Sequence, residues 1–412
     1  MSSNRGAFVT VCCRSIAYPI DTMATTQPQH QPIVLIIRDG WGENPNPEHD
    51  SFNAVKLADT PVGDRLRRDW PTTLIHTSGE NVGLPDGTMG NSEVGHQNIG
   101  AGRVVMQEIM RITKSIKDGS FFENPQLIKA FDHAQRTGGC VHLLGLVSDG
   151  QVHSDIEHLF ALIDMAAKRD WPAERLFIHA ITDGRDVDPT TGRGFIESLQ
   201  RKLKETGRGR MATIMGRYYA MDRDHRWDRT ALAYKAMTNR DVKHETLSNL
   251  PDLQQSADPV HAVQQYYDNP SSKTQHGDEF IVPTQIVDPD TNEPIATVND
   301  GDSVIFFNFR GDRPRQITKA FVHDDQKWQN IEHGGFDRGQ RLSDLYFCTM
   351  TNYEQDLPVP AIAFEKPPKM KGILGEVISR LGLTQFRCAE TEKFAHVTFF
   401  FNDYREAPFE GE

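Results

Sequence analysis

Seven short, largely apolar runs set the strongest constraint on the fold: residues 33–37, 141–147, 176–181, 211–215, 304–309, 345–350 and 397–401. Runs of this length and character are those of strands buried on both faces of a parallel sheet. Helix-like stretches separate them. Residues 154–168 open on Ser154 and Glu157, which read as a capping box, and residues 191–204, 228–237 and 372–381 carry helical periodicity. Alternation of this kind predicts an α/β fold. At 412 residues the chain exceeds what one core usually organises, so two domains are expected.

Four of the runs end in bursts of polar residues and glycine, at 148–150, 182–186, 216–224 and 308–313. Ligands of open α/β sheets bind beyond the carboxyl ends of the strands, so these bursts are expected to converge on one pocket. Several supply arginines, which suits an anionic small molecule. The overall balance of 45 Lys and Arg against 57 Asp and Glu, net −12, argues against a nucleic-acid partner while permitting a local basic pocket.

Five cysteines (Cys12, Cys13, Cys140, Cys348, Cys388) form no C-x-x-C pair, and reduced cytoplasmic thiols are the simplest reading. No apolar run approaches the roughly 20 residues of a membrane span. Residues 1–31 read as a disordered tail or a gene-model extension, with Met23 an alternative start.

The most informative segment is Thr88-Met-Gly-Asn-Ser92-Glu-Val-Gly-His96. Small residues precede a serine at a helix start, where a phosphoryl group would meet the positive end of the helix dipole. The plainer reading is an N-cap serine. Together with Asp39-Gly-Trp-Gly42, this segment resembles the nucleophile motif of the cofactor-independent (2,3-bisphosphoglycerate-independent) phosphoglycerate mutases of the alkaline phosphatase superfamily.

The resemblance implies that Ser92 is the nucleophile, forming a phosphoserine, and that Asp39 and Ser92 are metal ligands. It implies two divalent cations, Mn²⁺ foremost with Mg²⁺ or Co²⁺ as alternatives, in keeping with a hard carboxylate. His153 in Ser148-Asp-Gly-Gln-Val-His153 resembles a substrate-contacting histidine, although Asp155 stands where the family commonly has histidine. Asp149 with His153 also forms a D-x-x-x-H pattern, which is read as a decoy rather than a metal pair.

Arg185 and Asp186 resemble the pair that holds the glycerate end, and Arg217, Arg223, Arg310 and Arg313 match further substrate positions. Guanidinium forks suit a ligand carrying both carboxylate and phosphate. Arg226 and Arg229 are assigned to ordinary salt bridges. Lys393 matches a catalytic lysine that would offset charge on the transferring phosphoryl, whereas His396 is read as strand support.

The resemblance runs from about Pro32 to Glu412, and the family continues for on the order of a hundred residues more, which carry its remaining metal ligands. The implied architecture is α/β: an incomplete alkaline-phosphatase-like domain (32–107, resuming at 361–412) with an inserted α/β substrate-binding domain (108–360) that closes by hinge motion. Exposed apolar surface, an unpaired strand edge at 397–401 and poor solubility are expected. The implied function is a monomeric cytoplasmic isomerase of glycolysis acting on phosphoglycerate. The alternatives are a related metal-dependent phosphatase or phosphomutase, or a chain that only binds phosphoglycerate.

Overall fold

The structure, a computed structural model, describes residues 32–412 and the backbone of the two-residue strand β1 (Gly6–Ala7), which pairs antiparallel with β2 (Gly42–Glu43) and β3 (Ile75–His76). The expectations of a disordered tail and of a start at Met23 lie outside the described residues. Two compact units are present, one formed by Met1–Met110 with Pro368–Glu412, the other by Arg111–Pro367.

The continuous unit is built on an eight-stranded sheet. Its strands are β4 (Val141–Leu146), β5 (Leu176–Thr182), β6 (Arg210–Gly216), β7 (Gln254–Ser256), β8 (Thr284–Ile286), β9 (Ser303–Phe306), β10 (Tyr346–Thr349) and β11 (Ala361–Ile362). They lie in the order β11-β10-β9-β4-β5-β6-β8-β7. Every pairing is parallel except β6 with β8.

Every residue of β4, β5 and β9 is buried, which is why these strands read as apolar runs with no alternation. Helices Ile156–Lys168, Gly192–Thr206 and Trp227–Thr238 supply covering layers. Trp227, Tyr219, Tyr234, Phe306, Phe321 and Phe347 join one core cluster. Burying each such side chain contributes on the order of 2 kcal/mol.

One polar chain crosses this interior. Asp302 meets His142 Nε2 (3.2 Å), His142 Nδ1 meets His179 Nε2 (3.0 Å), and His179 Nδ1 meets Thr213 Oγ1 (3.0 Å). Burial, reinforced by His142, holds His179 well below the usual histidine range, hence neutral.

Two local expectations shift here. The helix at 156–168 is capped by Asp155, whose carboxylate accepts from Glu157 N (2.9 Å). Ser154 instead donates to Leu146 O (2.5 Å), tying the loop back to β4. The unit runs to Pro367 rather than to 360, because β11 pairs with β10 and Phe364 N donates to Met350 O (2.8 Å).

The other unit departs further from the sequence pattern. Residues 33–37 form no strand, and Ile33 and Val34 are 93% and 75% exposed. An apolar run becomes a strand only where neighbours satisfy its backbone groups, and no ladder partner is found among the described residues. Residues 397–401 are not a strand either. Helix Thr391–Ala395 continues into a π-helical turn, His396–Phe400, so no strand edge exists there. All the large apolar side chains that are exposed among the described residues, including Phe52, Leu57 and Phe386, belong to this unit.

Candidate active site

In the discontinuous unit, helix Ser92–Ala101 begins immediately after Asn91, whose side chain accepts from Val94 N (3.0 Å). Asn91 is therefore the cap, which leaves the Ser92 hydroxyl unused by the helix. Ser92 Oγ donates to Asp39 Oδ2 (2.5 Å) and accepts from Lys393 Nζ (2.8 Å). Lys393 Nζ also lies 2.5 Å from Asp39 Oδ2, closing a three-membered cluster.

Packing brings these distant residues together. A Cβ at Gly100 would stand 2.0 Å from Phe401 O, so only glycine lets the serine helix approach the segment that follows Lys393. Tyr404 Oη donates to Glu93 (2.9 Å) and Gln97 to Asp403 (3.3 Å), fastening the same contact.

The electrostatics follow from the geometry. Partial burial alone would raise the Asp39 carboxyl, but the Lys393 and Ser92 hydrogen bonds outweigh it and hold the group below its ordinary value. His96, one turn along the helix, bonds Ser92 O through Nδ1 (2.8 Å), and its ring lies 5.5 Å from that of His396. Burial lowers its pKa and keeps it neutral. His96 received no role from sequence reasoning, although it closes the quoted motif.

Asp39 and Ser92 present two hard oxygen donors to one point, and the Lys393 ammonium already rests on both. The pair thus accepts positive charge, and its donor set suits one edge of a hard divalent cation's shell.

In the continuous unit, β4 is the first strand of the sheet in chain order, and later strands are added on either side of it. Its junction with β9 is therefore the switch point of the sheet. The loops after these two strands interlock: Phe309 N donates to His153 O (2.8 Å) and Leu146 N to Asn308 Oδ1 (2.9 Å).

His153 is buried beside these loops. Its Nδ1 is 3.4 Å from Asp312 Oδ1 and its Nε2 is 3.8 Å from Asp186 Oδ2. Among the described residues, His153 Nδ1 and Asp312 Oδ1 are buried without hydrogen-bond partners, an arrangement that calls for a function. Burial, with Arg217 next, depresses the His153 pKa to about 4.

Arg217 is 2% exposed and bridges Asp183 and Asp186 at 2.5 Å each. Ser148 Oγ donates to the other oxygen of Asp183 (2.7 Å). Arg217 therefore organises the loops after β5 and β6. Arg185, Arg223 and Arg310 are about half exposed and pair with Glu279, Asp312 and Asp312 respectively. Arg313 donates to Met221 O (3.2 Å). Burial and the neighbouring charges of Arg217, Arg223 and Arg185 lower its pKa, the mark of a concentrated positive field.

Arg226 and Arg229 pair with Asp224 and Asp222, as ordinary salt bridges do. Asp149 is exposed and takes no part in any metal-type cluster among the described residues. Asp183 and Asp312 hold the arginines in place. Both sit inside the polar bursts at 182–186 and 308–313, yet only burial and contact reveal what they do.

An α/β protein with arginines and carboxylates clustered around a buried histidine at a sheet switch point, and a serine–carboxylate–lysine cluster at a helix start, is the class these observations define. Residues 112–355 match the family model described as the BPG-independent PGAM N-terminus. The chain is 55% identical over 387 residues to the 2,3-bisphosphoglycerate-independent phosphoglycerate mutase of Rhodopirellula baltica, covering 94% of this chain and 69% of that one. Its identity to the Acetivibrio thermocellus enzyme of the same name is 46% over 380 residues, covering 92% and 68%. A crystal structure of Leishmania mexicana phosphoglycerate mutase at low cobalt concentration superposes with TM-score 0.61 at 31% identity. It covers 88% of this chain, and the chain spans 63% of it. The chain belongs to the 2,3-bisphosphoglycerate-independent phosphoglycerate mutase family. Among the described residues, no helix is long and apolar enough to cross a membrane.

Proposed function

We propose that this chain interconverts 3-phosphoglycerate and 2-phosphoglycerate through a phosphoserine on Ser92, without a bisphosphoglycerate, in the cytoplasm and as a monomer. The observation that carries the reading is the Ser92–Asp39–Lys393 cluster, in which the hydroxyl is held between an acceptor and an ammonium.

Asp39 Oδ2 receives the Ser92 hydrogen bond, so it is placed to take the hydroxyl proton as Oγ bonds to phosphorus. The phosphorus–oxygen bond to the glycerate breaks, and the freed hydroxyl takes up a proton, leaving the step proton-neutral. Lys393 offsets negative charge on the transferring group. Asp39 and Ser92 would hold one of the divalent cations, Mn²⁺ or else Mg²⁺ or Co²⁺, which when bound supplies Lewis-acid charge to the hydroxyl.

The continuous unit holds the glycerate. His153, Arg185 and Asp186 take its hydroxyl and carboxylate groups, and the exposed forks of Arg223, Arg310 and Arg313 take the remaining anionic charge. Arg217 keeps Asp186 in position. A turnover assay with Mn²⁺ and no bisphosphoglycerate, run beside Ser92→Ala, tests the proposal. Turnover should vanish in the variant, and a phosphate adduct should be trapped on the peptide carrying Ser92 in the parent. Equal rates in the two proteins would refute it.

A further inference from the structure

Two segments, one beginning beside Arg223 and the other more than a hundred residues later, bring His225, Glu332 and His333 together. Their ligand atoms all lie within 4.8 Å of one another. His225 Nε2 is 4.0 Å from Glu332 Oε2, His333 Nε2 is 3.4 Å from Glu332 Oε1, and the imidazole centroids are 4.5 Å apart. Ligands of a tetrahedral zinc ion, at about 2.0–2.1 Å from the metal, are about 3.4 Å from each other. A contraction of about an ångström among flexible side chains therefore closes the set.

The backbone beneath these side chains is already fixed. Asp222 Oδ2 accepts from Asp224 N, Arg226 N and Gln316 Nε2, each at 3.0 Å, and His225 N donates to Gln316 Oε1 (2.9 Å). On the other side, the buried Trp227 donates through Nε1 to Glu332 O (3.1 Å), and Trp328 donates to Phe336 O (2.8 Å). The two indoles pack edge-on at 5.4 Å. Both histidines occupy left-handed backbone, φ 57° and 62°, a conformation that an ordinary surface residue seldom adopts.

We infer a divalent transition-metal site formed by His225, Glu332 and His333. Two neutral imidazoles with one carboxylate select a borderline ion of the zinc type over Mg²⁺ or Ca²⁺, which take oxygen ligands. The three side chains are 32%, 75% and 59% exposed, so water completes the shell and the ion enters freely. The bound ion ties residues 222–226 to residues 331–335. Arg223 lies in the first of these segments, so the clamp also restrains one substrate arginine, a consequence that rests on the function proposed above.

The test titrates the full chain with Zn²⁺ by calorimetry and with Co²⁺ by visible absorption, beside His225→Asn/His333→Asn. Asparagine tolerates left-handed backbone, so this variant keeps the loops. The parent should bind one equivalent more than the variant, show a cobalt spectrum that the variant lacks, and exchange amide hydrogens more slowly at 222–226 and 331–335 when Zn²⁺ is present. Glu332→Gln, which preserves shape, should weaken that equivalent roughly tenfold or more. Identical stoichiometry and spectra in parent and variants would overturn the inference, whatever the fate of Ser92.

Discussion

Replacing Arg217 with methionine removes a guanidinium shared by Asp183 and Asp186, and the structure sets the size of the effect. Asp183 is 1% exposed and Asp186 15%, both 2.5 Å from the guanidinium. Burial raises the Asp183 carboxyl, but Arg217 and the hydrogen bonds around it override this and hold it below its ordinary value. Without Arg217 an uncompensated charge stays buried, at a cost of about 3–5 kcal/mol. For a unit of this size each kcal/mol lowers the melting temperature by about 2–4 °C, so a drop of about 6–20 °C is expected.

Circular-dichroism melting at neutral pH measures the drop. Adding Asp183→Asn and Asp186→Asn to Arg217→Met should recover much of it, because the stranded charges are then gone. The sign with pH is fixed as well. A carboxyl whose folded pKa is lowered stabilises the protein above its unfolded pKa of about 3.9, and that contribution fades as pH falls through the folded value. The gap between parent and Arg217→Met should therefore narrow on acidification. A single variant that melts within a degree of the parent, or a triple variant no better than the single one, would show that the bridge is not holding these loops.

Gly100→Ala would place a methyl 2.0 Å from Phe401 O, forcing the serine helix and the lysine segment about an ångström apart. Overpacking should cost about 1–3 kcal/mol, and a displacement of that size should slow phosphoryl transfer about 100-fold while leaving phosphoglycerate affinity unchanged. Turnover and ligand titration check this separately. Acid stability offers another test. His153 and His158 have pKa values near 4, depressed mainly by burial, and His179 lies well below its ordinary value for the same reason. The unfolded chain binds these protons first, so stability should be intact above about pH 6.5 and fall below it by up to ~1.4 kcal/mol per pH unit for each histidine. Urea unfolding between pH 7 and 5 measures the slope, and a flat profile would contradict the buried, neutral assignment.

Strands β4, β5, β6, β9 and β10 were readable because burial on both faces writes itself locally as an apolar run; the two- and three-residue strands β7, β8 and β11 carry no such run and were not foreseen. The same pattern at residues 33–37 misleads, since a run records a preference for burial and not the presence of a neighbour to share its hydrogen bonds. Residues 397–401 mislead for a related reason: their aromatic and β-branched composition favours a strand, but continuation of the preceding helix against the Ser92 helix prevails. Asp155 took the cap expected of Ser154 because Ser154 had a backbone carbonyl within reach.

At the site, motif order nominated Ser92, Asp39, Lys393 and the arginines as candidates, since residue types at fixed spacing are a property of the chain. What each arginine does was not available there. Arg217 and Arg223 stand six residues apart in one motif, yet one is sealed against two carboxylates and the other half exposed. Only packing makes that distinction, because burial is decided by what the rest of the chain lays on top. The His225–Glu332–His333 cluster makes the same point from the other direction. His225 lies more than a hundred positions before the adjacent Glu332 and His333, with no spacing rule between them, and they meet because two buried tryptophans hold their loops side by side.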